Sequence, residues 1–148
     1  MALHKGAIIT MALAVPYSLA AGALVAQTVT VEIDPEKHVG GDIIEVACLP
    51  ADHRFIDALI AVPAEIGGTA DLGVLTGDFN QHASETTTPR ELDGLIYKDA
   101  ALAAGVVRVT EPGAFTLSKQ GQHRGIGLEI KTAPTAKGSL RLTILYVA

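Results

Sequence analysis

An all-β fold is predicted for this chain, and three observations carry the prediction. Its apolar residues fall in short runs, roughly 8 to 15 residues apart and separated by Gly, Pro and Asp corners. Several runs alternate apolar and polar residues with the period of two that lays one strand face on a core. Aromatic residues make up only 4% of the chain and Trp is absent, so the core has to be built from Val, Ile, Leu and Ala, whose β-branched members favour strands.

Taken in order, residues 23–33 set Val25, Val29, Val31 and Ile33 on one face and Thr28, Thr30 and Glu32 on the other, a half-buried strand. Asp34-Pro35-Glu36-Lys37-His38 with Gly40-Gly41 is turn chemistry. The run Ile43 to Leu49 is almost continuously apolar, as a strand covered on both faces would be, and Pro50, which lacks an N–H, ends it. After the polar corner Ala51-Asp52-His53-Arg54 comes a return run, Phe55 to Val62, and then Leu72 to Thr76 through Gly67-Gly68. Residues 41–78 therefore read as one antiparallel unit with both faces of its strands covered. Asp57 is the exception, and requires an edge position or a partner.

Residues 77–90, GDFNQHASETTTPR, read as a long exposed loop, the kind of segment that carries binding. Residues 93–104 suit a short helix or turn-rich crossing stopped by Gly105. Strands are expected at 106–110, 114–117, 124–131 and 140–146, the last lying inside a sheet because it is the least interrupted. About eight strands at this spacing predict an antiparallel β-sandwich, and a jelly roll is preferred to an immunoglobulin-like sandwich because the Cys and Trp hallmarks of the latter are missing. At 148 residues this is one domain, divided into an N-terminal arm over 1–22 and a single sandwich over 23–148.

The stretch from Gly6 to Val31 carries no formal charge, and Leu24-Val25-Ala26 is similar to the small-residue end of a secretory signal. As a membrane span it is interrupted by Pro16 and diluted by Tyr17, Ser18, Gly22 and Gln27, which argues against a membrane partner. An apolar, Ala-rich arm that packs on its own body or on neighbouring subunits fits better. The whole chain is 49% hydrophobic and only 18% charged, a balance that calls for burial against other chains. A net charge of -5 without a basic run excludes nucleic acid as the partner.

No pattern for chemistry emerges. The five histidines, His4, His38, His53, His82 and His123, are scattered one per loop or turn, never at the spacing that puts two imidazoles on one metal, and each reads as an exposed loop residue. Asp71, Asp78, Asp93 and Asp99 stand beside glycines or in loops and read as solvated turn formers rather than an acid–base pair. Cys48, the single cysteine, reads as a small buried hydrophobe. Gly125-Ile126-Gly127 marks a bulge or a close backbone approach. These readings point to a non-enzyme with no cofactor and no metal.

Gly41-Asp42-Ile43-Ile44 into Leu49-Pro50-Ala51, then Phe55-Ile56-Asp57-Ala58, then Asp71 to Asp78, resembles the small structural proteins of tailed bacteriophages. Arg124 to Leu128 with Gly138 to Thr143 is similar to their closing strands. The nearest functional group is the jelly-roll cement, or decoration, proteins of the capsid exterior, a resemblance running from Thr28 to Tyr146. It implies a virion protein that ties neighbouring major capsid subunits together, with the major capsid protein and further copies of itself, as a homodimer or a trimer, for partners. On this reading the arm, with Leu3, Ile8, Ile9, Met11, Leu13, Val15 and Tyr17, makes intersubunit contacts, and the loop carrying Asp78, Phe79, Asn80 and Arg90 touches the capsid or a second copy. Two alternatives remain: a glycan-binding or host-attachment module, for which Phe79 is the only aromatic in the long loop, and an exported bacterial β-sandwich.

Overall fold

The computed structural model describes residues 2–6, 15–16, 22–82 and 88–148. Among them are nine strands, β1 (Leu3–Lys5), β2 (Leu24–Ile33), β3 (Ile43–Leu49), β4 (Arg54–Val62), β5 (Thr69–Leu75), β6 (Leu92–Ala101), β7 (Gly105–Arg108), β8 (Arg124–Thr132) and β9 (Gly138–Val147). They form a five-stranded sheet in the order β1-β3-β8-β5-β6 and a four-stranded sheet in the order β2-β9-β4-β7. The pairs β2·β9, β3·β8, β4·β7 and β5·β6 are all antiparallel, so the eight strands from β2 onward wind as a jelly roll. Strand β1 is added to the edge of the larger sheet, parallel to β3.

The all-β sandwich is as expected, and β9 does lie inside its sheet, between β2 and β4. The expected antiparallel unit over 41–78 does not form. Strand β3 belongs to the larger sheet and β4 to the smaller, and the corner after Pro50 carries the chain across the sandwich. Asp52 takes a positive φ of 60° there, and its N–H donates to the Gln120 carbonyl at 2.8 Å, which fixes the turn. The two apolar runs meet through side chains in the core, without sharing hydrogen bonds. Nor is β4 covered on both faces: Phe55, Ala58, Ile60 and Val62 are buried, while Ile56, Leu59 and Ala61 are half-buried.

Two further elements differ from expectation. Residues 92–101 form a strand rather than a helix, because three register shifts against β5, with positive φ at Gly94 and Asp99, break the period of two that normally reveals a strand. Residues 114–117 form no strand. Pro112 starts a short 3-10 helix, Pro112–Thr116, which buries only Ala114.

Inward-facing Val29, Val31, Ile33, Ile44, Val46, Ile60, Leu72, Ile126, Leu128, Leu142 and Ile144 make the core between the sheets. Two polar side chains pin the sheets together. The Gln27 amide, from β2, donates to the Cys48 carbonyl at 3.1 Å and accepts the Cys48 N–H at 3.0 Å, standing in for a neighbouring strand on β3. The Tyr97 hydroxyl, from β6, lies 2.6 Å from the Ala58 carbonyl and 2.8 Å from that of Val107.

Candidate interaction surface

Glu45 is a lone carboxylate in the apolar run of β3, and its side chain is fully buried. A charge there is tolerable only if neighbours satisfy it. Lys5 Nζ, from β1, donates to Oε2 at 2.5 Å. Arg90 grips both oxygens, Nη1 on Oε2 at 3.0 Å and Nη2 on Oε1 at 3.1 Å, and the Asn80 N–H donates to Oε1 at 3.2 Å. Arg90 Nε also holds the Thr76 carbonyl at 2.8 Å. One buried carboxylate thus ties the arm, the middle of the larger sheet and both ends of the long loop to one another. Gly125 makes room for it: a Cβ at that position would lie 2.1 Å from Glu45 Oε1. The Gly125-Ile126-Gly127 stretch is therefore a close approach, as anticipated, with Leu75 lying over Gly127.

A second cluster fastens β1. Asp42 accepts the Ala2 N–H at 2.7 Å and the Val39 N–H at 3.1 Å, and its carboxylate sits 3.3 Å from His4 Nε2. Burial alone would raise the Asp42 pKa, but those two N–H groups and His4 outweigh it and hold the carboxyl below the usual range. The His4 and His38 rings meet edge-on with centroids 4.6 Å apart. His38 Nδ1 accepts the Asp34 N–H at 3.0 Å, and burial, with His4 beside it, pushes its pKa down. A cleft of about 600 Å³ lies against this cluster, lined by His4, Lys5, Thr30, Lys37, His38 and Lys137.

The sequence-predicted contact residues are distributed as follows. Leu3 is half-buried in β1. Val15 packs against the core, and the next residue, Pro16, accepts the Tyr146 hydroxyl at 2.5 Å. Ile8, Ile9, Met11, Leu13 and Tyr17 lie outside the described residues. Asp78 is exposed, and Phe79 is half-buried with its ring 6.0 Å from that of His123. Asn80 has a positive φ of 60°, and Arg90 is buried on Glu45.

Other expectations need correction. His38 and His53 are buried, not exposed: His38 caps the Asp34 turn, and His53 lies edge-on to Tyr146 with Nδ1 2.8 Å from the Ala51 carbonyl. Asp71 is buried as well, accepting the Asp99 N–H at 2.7 Å with Lys131 at 3.8 Å. Cys48 is buried as expected, and burial, helped by the Glu45 charge, pushes its thiol pKa up to about 12. Asp57 finds its partner in Arg108, 3.8 Å away. Among the described residues no group of three or more His, Cys, Asp or Glu side chains could hold a metal ion, and no helix is long and apolar enough to cross a membrane. Among the described residues four large apolar side chains are exposed, Leu24, Val39, Val106 and Phe115, none of which the sequence marked as a contact residue.

No protein-family model matches the chain, and no curated protein matches it by sequence. Among solved structures, a chain of the capsid of Ralstonia phage GP4 superposes on it with a TM-score of 0.82 at 25% identity, covering 98% of this chain and 97% of that one. More distant likenesses are a chain of the acid-stable capsid of Helicobacter pylori bacteriophage KHP30 (TM-score 0.48, 11% identity, 87% and 90% covered) and one of the cyanophage Pam1 capsid (TM-score 0.44, 13% identity, 91% of each covered).

Proposed function

We propose that this chain is a virion structural protein that binds the outer surface of a phage capsid and cements neighbouring major capsid subunits. The observation that carries the reading is the end-to-end likeness to a chain of the GP4 phage capsid at 25% identity, which supports a structural role in a virion. The cementing role rests on the resemblance of the strand and corner motifs, and the surface described above suits it. A clamp has to stay rigid while its contact segments reach outward, and Glu45 fastens the arm and the loop to the sheet in that way.

Mechanically, packaged DNA loads the shell outward, and each clamp resists by removing apolar surface from water across a seam, worth about 25 cal/mol per Å². Many symmetry-related copies multiply that small gain. In this reading the arm residues Ile8, Ile9, Met11, Leu13 and Tyr17, with Leu3 and Val15 at its rooted ends, contact neighbouring subunits, and Asp78 and Phe79 meet the capsid. Arg90 and Asn80 hold the loop in place. A second copy completes the unit, a self-complementary dimer being the simplest closed assembly.

The test is binding to DNA-filled capsids lacking the protein. Replacing Ile8, Ile9, Met11 and Leu13 together by Ser keeps β1 intact and is expected to abolish co-sedimentation with capsids and reduce the oligomer mass. Asp78→Lys is expected to weaken binding while leaving the mass unchanged. Full capsid binding by both variants would refute the assignment.

A further inference from the structure

Among the described residues one buried charge is left without a partner. Arg124 opens β8 and is only 5% exposed, yet its Nε and Nη2 are buried without any hydrogen-bond partner. Every other buried charged side chain described above is answered: Glu45 by Lys5 and Arg90, Asp42 by His4 and two N–H groups, Asp71 by Asp99 N–H and Lys131. An uncompensated guanidinium costs folding free energy, and a native fold that keeps one calls for an explanation.

The side chain lines a cleft of about 340 Å³ at one end of the sandwich. One wall is Val74, Leu75 and Thr76, where the long loop leaves β5; the other includes Ser118 and Gln122. The second wall is fixed in advance, because Gln120 accepts the Asp52 N–H at 2.8 Å and His123 Nδ1 accepts the Ala51 N–H at 3.1 Å. Asp93 also lines the cleft, but leaves both arginine nitrogens unpaired. Burial pushes the Arg124 pKa down from its ordinary value, and guanidinium nonetheless stays charged at neutral pH.

We propose that this cleft is a receptor for a carboxylate, and that its occupant is an Asp or Glu side chain on a segment of the partner capsid subunit. The planar fork of the guanidinium matches a carboxylate with two parallel N–H···O bonds, and the Thr76, Ser118 and Gln122 side chains offer further polar contacts around it. The cleft is lined by Gly77, the start of the loop assigned to capsid contact, so the inference rests on the proposed function for the source of the carboxylate. Phe115, 52% exposed two residues before the lining Leu117, offers an apolar anchor for the same segment.

The experiment has two arms. In the first, sodium glutarate is titrated into the full-length chain at constant ionic strength, with amide NMR shifts and Tm as readouts. Wild type is expected to give saturable shifts at Gly77, Ser118 and Arg124 and a raised Tm, and Arg124→Met is expected to give neither. The methionine variant alone is expected to be at least as stable as wild type, since it removes an unpaired charge from the interior. Arg124→Lys, which keeps the charge but not the fork, should respond about tenfold more weakly. A glutarate response equal in wild type and Arg124→Met, or no response in wild type, overturns the proposal. In the second arm, capsid binding by Arg124→Met is expected to fall about tenfold or more. Undiminished capsid binding by that variant overturns the partner-subunit source. If wild type fails to bind capsids at all, it is the proposed function that fails, and the glutarate arm still decides whether the cleft takes a carboxylate.

Discussion

In β2 every second residue from Thr28 to Glu32 is exposed, whereas all seven residues of β3 are buried. The same contrast separates the two sheets. The smaller sheet shows solvent a face of Thr28, Thr30, Glu32 and Arg141, with Thr28 and Thr143 paired at 3.0 Å. The larger sheet has its outer face covered near β3 and β8 by the root of the long loop and is extended at its edge by β1, with Glu45 and Arg90 buried between them. One sheet is thus an ordinary half-buried surface and the other a platform on which two appendages are mounted. The difference teaches where specificity has been invested: a buried ion pair is an expensive way to stabilise a sheet and an effective way to fix the position of what it holds.

Mutations on the two faces should therefore differ sharply. The largest effect is expected from Glu45→Gln, which strips the charge from beneath Lys5 and Arg90 and should cost about 3 to 5 kcal/mol in denaturant unfolding. It should also loosen both appendages, seen as faster amide exchange at Lys5, Gly6 and Asn80. A loss under about 1 kcal/mol with unchanged exchange would end the contrast. Tyr97→Phe, which removes the hydroxyl that joins β6 to β4 and β7, should cost about 1 to 2 kcal/mol without freeing arm or loop.

A pH titration gives a smaller, graded version of the same test. His38 has a lowered pKa in the fold, facing His4, Asp42, Asp34 and Lys37, so the stability it contributes is complete above its unfolded value of 6.5 and fades as the pH falls below it. Asp42, also lowered, adds stability above 3.8 that is lost in stronger acid. Tm should accordingly drop in two steps on acidification, and His38→Gln should remove the upper one. The smallest effect belongs to the open face, where Thr28→Ala should change stability by no more than about 0.5 kcal/mol and leave capsid binding as it was, as thermal melts and co-sedimentation would show.

The same contrast explains what could be read from the sequence. Strands β2, β8 and β9 were legible because each keeps a clear period of two or an uninterrupted apolar run, and turn residues bounded most of the others. The pairing of β3 was not, because an apolar run shows that a strand is covered without saying by what, and Pro50-Ala51-Asp52-His53-Arg54 serves a crossing between sheets as well as a hairpin. Strand β6 hid behind its bulges. Of the interaction surface, the loop was visible as a polar Ser- and Thr-rich stretch, and Glu45 also carries a signal, because a lone carboxylate in a doubly covered strand has to have a partner. The approach of His4 to His38 and the isolation of Arg124 depend on long-range packing that no spacing rule reports.

The central claim, that the chain is a cement on the outside of a capsid, is tested most directly by a cryo-EM reconstruction of the virion that carries it, at a resolution that traces β-strands. The account predicts this jelly roll on the outer surface, seated across seams between major capsid subunits with residues 1–22 and 77–90 toward its neighbours. Density for the chain on the inner surface, or a virion without it, would contradict the account.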